Sequence, residues 1–254
     1  MVLTFLGTGT SQGIPVVACD CNVCSSADPK DKRLRSSVMI ETEGKRIIID
    51  CGPDFRQQML RESIRSIDAI LITHAHKDHI GGLDDVRAFN YFLQRHADVY
   101  ASQDVIHAVK NEFSYAFGVK RYPGVPEINL HPITNHEFTV SGLSILPVKA
   151  LHFLDHYVFG YRIGDLTYIT DAMEIPDEEM EKIAGSRVIV INSLRKKKHY
   201  SHFNLEEAVA ILEKLKPEMG LLTHISHQMG LHEDVQKELP SFIRLAYDGL
   251  KVEF

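Results

Sequence analysis

The 254-residue chain is 44% hydrophobic and 24% charged, enough apolar material for a sizeable buried core. Its formal net charge of −6 argues against bulk electrostatic binding of nucleic acid, while leaving room for a local cationic site that takes a small phosphate ester. The opening MVLTFLGTGT carries neither the basic region nor the apolar run of a signal peptide or membrane span, so a cytoplasmic protein without membrane partners is expected.

In chain order, the first part reads as β structure. VLTFLG (2–7) is a strand running into the glycine-rich GTGTSQG (7–13), and SVMIET (37–42) and KRIIID (45–50) are strands joined by a Glu43-Gly44 turn. DFRQQMLRES (54–63) predicts a helix with Asp54 as N-cap. SIDAILIT (66–73) is a nearly all-apolar strand, which implies burial on both faces. Next come a helix around LDDVRAFNYFL (83–93), strand DVYAS (98–102) and helix QDVIHAVKNEF (103–113). Residues 114–133 read as irregular, and the aromatic set Phe113, Tyr115, Phe117 and Tyr122 suits packing, a lid or the contact of a homodimer.

A second strand-rich block follows: LSILPVKALH (143–152), VFGYRIGD (158–165), LTYITD (166–171) and RVIVINS (187–193). Helix NLEEAVAILEKL (204–215), strand MGLLTHIS (219–226) and a helix over 233–249, bent or interrupted by Pro240, complete the chain. No repeat or linker intervenes, so residues 1–254 are expected to form one domain. Strands then helices, twice over, predict an α/β fold of two packed sheets with helices outside.

The 14 histidines are the compositional oddity. In THAHKDHIGG, His74 and His76 leave the end of a buried strand, Asp78 and His79 follow, and Gly81-Gly82 precede a helix. A turning loop of this spacing gathers four donors into one pocket, and imidazole with carboxylate suits zinc, iron or manganese. Three of the four cysteines, Cys19, Cys21 and Cys24, crowd into CDCNVC; without a secretory context they favour metal over disulfide. A closed zinc site needs a fourth donor, and both Cys51 and His227, three residues past His224, are candidates.

HAHKDH matches the H-x-H-x-D-H signature of the metallo-β-lactamase superfamily, which this chain resembles along nearly its whole length. The resemblance implies a four-layer αββα sandwich of two mixed sheets flanked by helices. It also implies a centre of two divalent metals: His74, His76 and His152 on one, Asp78, His79 and His224 on the other, and Asp171 bridging. His156 competes with His152 for its slot; strand geometry favours His152, which ends ILPVKALH. Asp50 resembles a carboxylate that orients metal-binding histidines. The C-x-C-x-x-C motif is similar to that of the cyclic-phosphate phosphodiesterase branch from the carbon–phosphorus lyase pathway. That likeness favours His227 as the fourth ligand of a structural zinc, pinning the N-terminal loop to the segment that presents His224.

RKKKHYSHFNLEEA supplies the remaining chemistry. Asn204 and Glu207 form a capping-box pattern, placing His202 just ahead of a helix N-terminus. The matching family position contacts phosphate and protonates the leaving oxygen, a role that falls to His202 ahead of His199. Arg195 is a weaker candidate phosphate ligand.

The implied function is metal-dependent hydrolysis of a small phosphodiester, a ribosyl 1,2-cyclic phosphate or 2′,3′-cyclic nucleotide, by a hydroxide shared between the two metals. The alternatives are a transfer-RNA 3′-processing endonuclease, whose clamping arm has no counterpart here, and a quinone-cofactor carrier with a degraded site. Thioester or β-lactam hydrolysis is a further option within the fold.

Overall fold

A computed structural model describes all 254 residues, Met1–Phe254. Along the chain the elements are β1 (Val2–Gly7), β2 (Ser37–Thr42), β3 (Lys45–Ile49), α1 (Phe55–Arg61), β4 (Ala69–Leu71), α2 (Lys77–Ile80), α3 (Arg87–Leu93) and β5 (Ala97–Ala101). Then come α4 (Gln103–Glu112), α5 (Ser114–Phe117), β6 (Ile128–Pro132), β7 (Phe138–Val140), β8 (Leu143–Phe153), β9 (His156–Ile163) and β10 (Leu166–Tyr168). The last third holds α6 (Asp177–Ile183), β11 (Val188–Asn192), α7 (Leu205–Leu215), β12 (Met219–Thr223), α8 (His232–Glu238), β13 (Ile243–Leu245) and β14 (Lys251–Glu253).

The chain divides into two compact units. The first comprises Met1–Leu6, Ser37–Thr134 and Lys251–Phe254, with a seven-stranded sheet ordered β14-β1-β2-β3-β4-β5-β6. β2 and β3 form a hairpin whose turn residues, Glu43 and Gly44, both have positive φ (50° and 73°). From β3 to β6 the strands run parallel, so Ile49 lies opposite Leu71 and the carboxyl ends of β3 and β4 meet one sheet edge. β4 is fully buried, as its apolar run predicts. The core gathers Leu6, Ile48, Ile70, Phe55, Leu83 and Val109 between sheet and helices.

The second unit, Gly7–Ser36 and Asn135–Leu250, has a sheet ordered β13-β12-β11-β10-β9-β8-β7. Its antiparallel half (β7 to β10) continues into a parallel half (β10 to β13), again lining up carboxyl ends, with Asn192 opposite Thr223. Parallel strands present ligand-bearing loops at those ends because the connections return over the faces. α7 begins with the expected capping box: Glu207 N–H donates to Asn204 Oδ1 at 2.8 Å, and Asn204 N–H to Glu207 Oε2 at 3.0 Å.

Asp54 is the N-cap residue of α1 as expected, though its side chain makes no cap hydrogen bond. Several local expectations are corrected. The 114–133 stretch contains α5 and β6, the latter pairing with β5 from Ala97–Ile128 to Ala101–Pro132. The C-terminal helix stops at Glu238, ahead of Pro240, and Ile243–Leu245 is the strand β13 rather than more helix. A residue before proline avoids the α region, so the helix cannot run through. β7, β13 and β14 have three residues each, too few to show a period.

Candidate metal centre

In the first unit, the donors leave the carboxyl ends of β3 and β4. Asp50 follows β3 with φ of 66°, a conformation that lets the chain turn at once and leaves the carboxylate beneath the loop. Thr73 N–H and Oγ1–H both donate to Asp50, at 2.9 Å and 2.9–3.0 Å. Because that hydroxyl hydrogen is committed, Thr73 Oγ1 accepts from His74 Nδ1 at 3.0 Å. His79 Nδ1 likewise donates to Asp50 Oδ2 at 2.7 Å. Both imidazoles are thereby set with Nε2 as the lone-pair nitrogen, the arrangement of metal-binding histidine backed by an oxygen acceptor.

Those nitrogens converge on further donors. His74 Nε2 lies 2.9 Å from His76 Nδ1, and His79 Nε2 lies 3.2 Å from Asp78 Oδ2. Such spacings suit neighbouring ligands of a cation about 2.0–2.2 Å from each atom. Burial pushes the Asp50 carboxyl upward, against the pull of His79 and Thr73. The glycine pair has a steric cause. A Cβ on Gly82 would lie 2.0 Å from Gly52 O and 2.7 Å from Phe55 Cβ, and one on Gly81 would lie 2.6 Å from Lys77 O.

In the second unit, His152, Asp171, His202 and His224 come together from β8, the loops after β10 and β11, and the end of β12. His152 is buried and its Nδ1 donates to Ser201 O at 2.9 Å, so its Nε2 is the lone-pair nitrogen; His156 is exposed. Thr170 Oγ1 donates to Asp171 Oδ2 at 2.6 Å and Ser36 Oγ to Gly9 O at 2.9 Å. Both hydroxyls therefore accept from His224 Nδ1, at 3.5 Å and 3.2 Å, and Asp171 Oδ2 lies 3.2 Å from the same nitrogen. Asp171 and His224 have φ of 59° and 55°. Non-glycine residues rarely hold that conformation unless their surroundings enforce it, and functional sites are where it concentrates.

His202 stands among these groups, its ring 4.9 Å from those of both His152 and His224. Its Nδ1 is buried without a hydrogen bond, 3.8 Å from Asp171 Oδ1. Burial outweighs Asp171 and takes the imidazole down to about 3, so it is neutral at neutral pH. His152, Asp171 and His202 each offer an atom within 4.8 Å of the others.

Cys19, Cys21, Cys24 and His227 also lie in the second unit, with donor atoms within 4.8 Å of one another. The three sulfurs are 3.3, 3.5 and 3.6 Å from His227 Nδ1. A tetrahedral zinc with bonds of about 2.3 Å to sulfur and 2.0–2.1 Å to nitrogen puts S and N about 3.6 Å apart, so the donor set fits. Val16 N–H donates to Cys24 Sγ at 3.3 Å. The Cys24 backbone N–H and His227 bring Cys21 down to about 6, while burial pushes Cys24 up to about 11. Cys51, the other candidate, is buried in the core of the first unit with its thiol raised by burial. The N-terminal loop is fastened beside His224 by hydrogen bonds from Ile225 N to Thr8 O (2.8 Å) and Thr10 N to Ile225 O (3.1 Å).

The remaining candidates are occupied locally. Arg195 donates to Lys197 O, Lys198 O and Gln228 Oε1, holding its own loop. His199 Nδ1 accepts from Ser201 N at 3.3 Å and its ring stacks on Tyr200 at 4.3 Å. Phe113 is buried, while Tyr115 and Tyr122 stack at 6.4 Å on the surface of the first unit. A cavity of about 1120 Å³ in that unit, lined by Phe55, Met59, Phe89 and Phe92, contains none of the donors. Four supporting groups escape the sequence reading: Ser36, Thr73, Thr170 and the Ser201 carbonyl. A signal for two of them exists, since Ile72-Thr73-His74, Ile169-Thr170-Asp171 and Leu222-Thr223-His224 repeat one apolar-Thr-donor pattern at three strand ends.

Residues 45–225 match the family described as Beta-lactamase superfamily domain, and the chain belongs to that superfamily of metallohydrolases. The fold class is the expected one, two mixed seven-stranded sheets with helices. Within the superfamily the chain belongs to the PhnP family: the crystal structure of a new diphosphatase from that family is 42% identical, with a TM-score of 0.92 over all of this chain and 97% of that one. An octanoyltransferase of Porphyromonas gingivalis (strain ATCC BAA-308 / W83) is 41% identical over 249 residues, 97% of this chain but 50% of that protein. The chain thus spans about half the length of this curated relative. Zinc-bound PqqB from Methylobacterium extorquens shares the fold at a TM-score of 0.79 and 20% identity, each chain fully covered. No helix is long and apolar enough to cross a membrane.

Proposed function

We propose that the chain is a metal-dependent hydrolase of small phosphoric diesters. The observation that carries this reading is the hydrogen-bonding of its histidines: each of His74, His79, His152 and His224 has Nδ1 turned to an oxygen acceptor, which leaves Nε2 to ligate. By the family pattern His74, His76 and His152 would hold one divalent metal and Asp78, His79 and His224 a second, with Asp171 a further ligand. Such a pair supplies a nucleophile at neutral pH and neutralises charge on phosphorus. Zinc, manganese and iron all suit the donors. Cys19, Cys21, Cys24 and His227 hold a separate structural zinc.

His202 is the residue placed to handle the leaving oxygen. Its ring lies 4.9 Å from those of His152 and His224, so a phosphoryl group bound at a metal those two residues would hold would lie beside it. A bound phosphate supplies the negative charge that a protonated imidazole needs in this buried place, and the proton then passes to the departing oxygen. Asp50, Thr73, Thr170 and Ser36 hold the ligands in the correct tautomer. Arg195, the weaker candidate phosphate ligand, holds the segment ahead of His202 through its bonds to Lys197 O and Lys198 O.

Two substrate forms share this chemistry: the cyclic phosphates implied by the sequence motif, and diphosphate-bridged esters, favoured by the 42% identical diphosphatase. Octanoyl transfer is not proposed, because the similarity reaches half of the protein bearing that name. The test is turnover by the metal-loaded chain on 2′,3′-cyclic nucleotides, a diphosphate-bridged dinucleotide, a transfer-RNA precursor and a thioester. Cleavage of the cyclic diester or of the diphosphate bridge, a phosphoanhydride, is expected; preference for the RNA precursor would make the chain a processing endonuclease, and no turnover with tight quinone-cofactor binding would make it a carrier.

A further inference from the structure

Two aromatic rings stand exposed beside His202 where solvent alone gives no reason for them. Tyr200 is 68% exposed and Phe153 is 40% exposed, on the two segments that carry His202 and His152. They meet edge to face, with centroids 5.3 Å apart. His199 stacks on Tyr200 at 4.3 Å and 28°, and lies 5.4 Å from His202, whose ring is 4.9 Å from His152. The result is an unbroken series of rings, open to solvent at one end and buried among metal donors at the other.

We propose that Phe153, His199 and Tyr200 form a shelf that stacks a nucleobase, so that the diester taken by this chain is a nucleotide rather than a base-free sugar phosphate. The inference deepens the hydrolase reading and rests on it. Exposed aromatic faces accept any base, since every base has a π-face. Lys197 and Lys198, exposed just ahead of His199, add positive charge to the same segment, which favours an anionic ligand. Of the two lysines, Lys198 comes within 3.4 Å of Glu207, which fixes its reach. Continuity with His202 makes the occupant part of the substrate, since a base on Tyr200 and a phosphate at His202 sit at opposite ends of one row of rings.

The experiment compares adenosine 5′-monophosphate with ribose 5-phosphate by calorimetric titration of the metal-loaded full chain. The nucleotide is expected to bind roughly 10- to 100-fold more tightly than the base-free phosphate. Tyr200→Ala should bring the nucleotide to the level of ribose 5-phosphate and leave the latter unchanged; Tyr200→Phe should keep the preference. Equal binding of both compounds to the unaltered chain overturns the shelf. So does a preference that survives the Phe153→Ala/Tyr200→Ala double variant, or a Tyr200→Ala loss shared by both compounds. A base preference in a chain that hydrolyses no diester would retain the shelf as a nucleotide site and remove the hydrolase reading instead.

Discussion

Asp50 Oδ2 accepts from His79 Nδ1 across 2.7 Å, with both side chains wholly removed from solvent. A buried carboxylate is costly unless its oxygens are satisfied, and here three donors reach it, from Thr73 N, Thr73 Oγ1 and His79. The benefit falls on His79, whose Nε2 is held ready for a cation. Asp50→Asn keeps the volume but offers His79 an amide that also donates, which admits the wrong tautomer. Metal affinity at the catalytic donors should fall about 10- to 100-fold, the usual cost of losing such a supporting acceptor. Competitive metal titration reads it, with circular dichroism checking that the fold persists. An unchanged affinity would show that Asp50 serves only the packing of β3.

The cysteine site and the catalytic donors should separate. Asp78→Ala removes a carboxylate from the first unit and leaves the four Cys/His donors of the second unit intact, so turnover should fall by orders of magnitude while about one equivalent of zinc remains. Cys24→Ala should do the reverse: lose that equivalent, lower the melting temperature and retain measurable turnover when metal is supplied. Elemental analysis beside an activity assay distinguishes the two. Loss of both properties in a folded Asp78→Ala protein would contradict separate sites.

Gly82 offers a steric prediction. An added methyl would sit 2.0 Å from the carbonyl oxygen of Gly52, and backbone cannot yield as a side-chain tip does. Gly82→Ala should therefore cost several-fold more stability than Gly44→Ala, where nothing lies within 4 Å and only the φ of 73° resists. Chemical denaturation of the two variants decides; similar losses would mean that the α1 approach relaxes freely.

How much of this was legible in the sequence depends on range. His74 to Gly82 could be read because the donors lie on one short loop and need no distant contact to converge. The capping box of Asn204 and Glu207 and the hairpin at Glu43-Gly44 were readable for the same reason, being local hydrogen-bond and backbone chemistry. Asp171 and His224 required a family pattern, since nothing within a few residues says that two strand ends 53 positions apart meet, His224 Nδ1 lying 3.2 Å from Asp171 Oδ2. Ser36 lay further out of reach: its hydroxyl matters only because Gly9 and His224 are brought to it by separate segments. The three-residue strands β7, β13 and β14 are set by pairing with longer neighbours, a tertiary cause that leaves no periodicity behind. Positive φ at Asp50, Asp171 and His224 is equally silent in sequence, because glycine is absent where it is most often sought.

His232, at the start of α8, is buried against Arg33, whose Nη2 lies 3.2 Å from His232 Nδ1; an arginine can only donate, so that nitrogen accepts and the ring is neutral. Burial first, then Arg33 and Lys30, bring the imidazole down to about 4, while Asp28 and Asp31 pull weakly the other way. In the unfolded chain the same group titrates near 6.5, so between about pH 6.5 and 4 the unfolded state binds the extra proton. Stability from this residue is therefore complete above pH 6.5 and is lost as pH falls toward 4, by at most about 1.4 kcal/mol per pH unit. His232→Asn keeps an acceptor for Arg33 without a titrating ring. Urea unfolding at pH 7.5 and 5.0 should show a smaller acid loss in the variant than in the unaltered chain, with metal held saturating in both. Equal losses would mean that water reaches the ring and Arg33 moves aside.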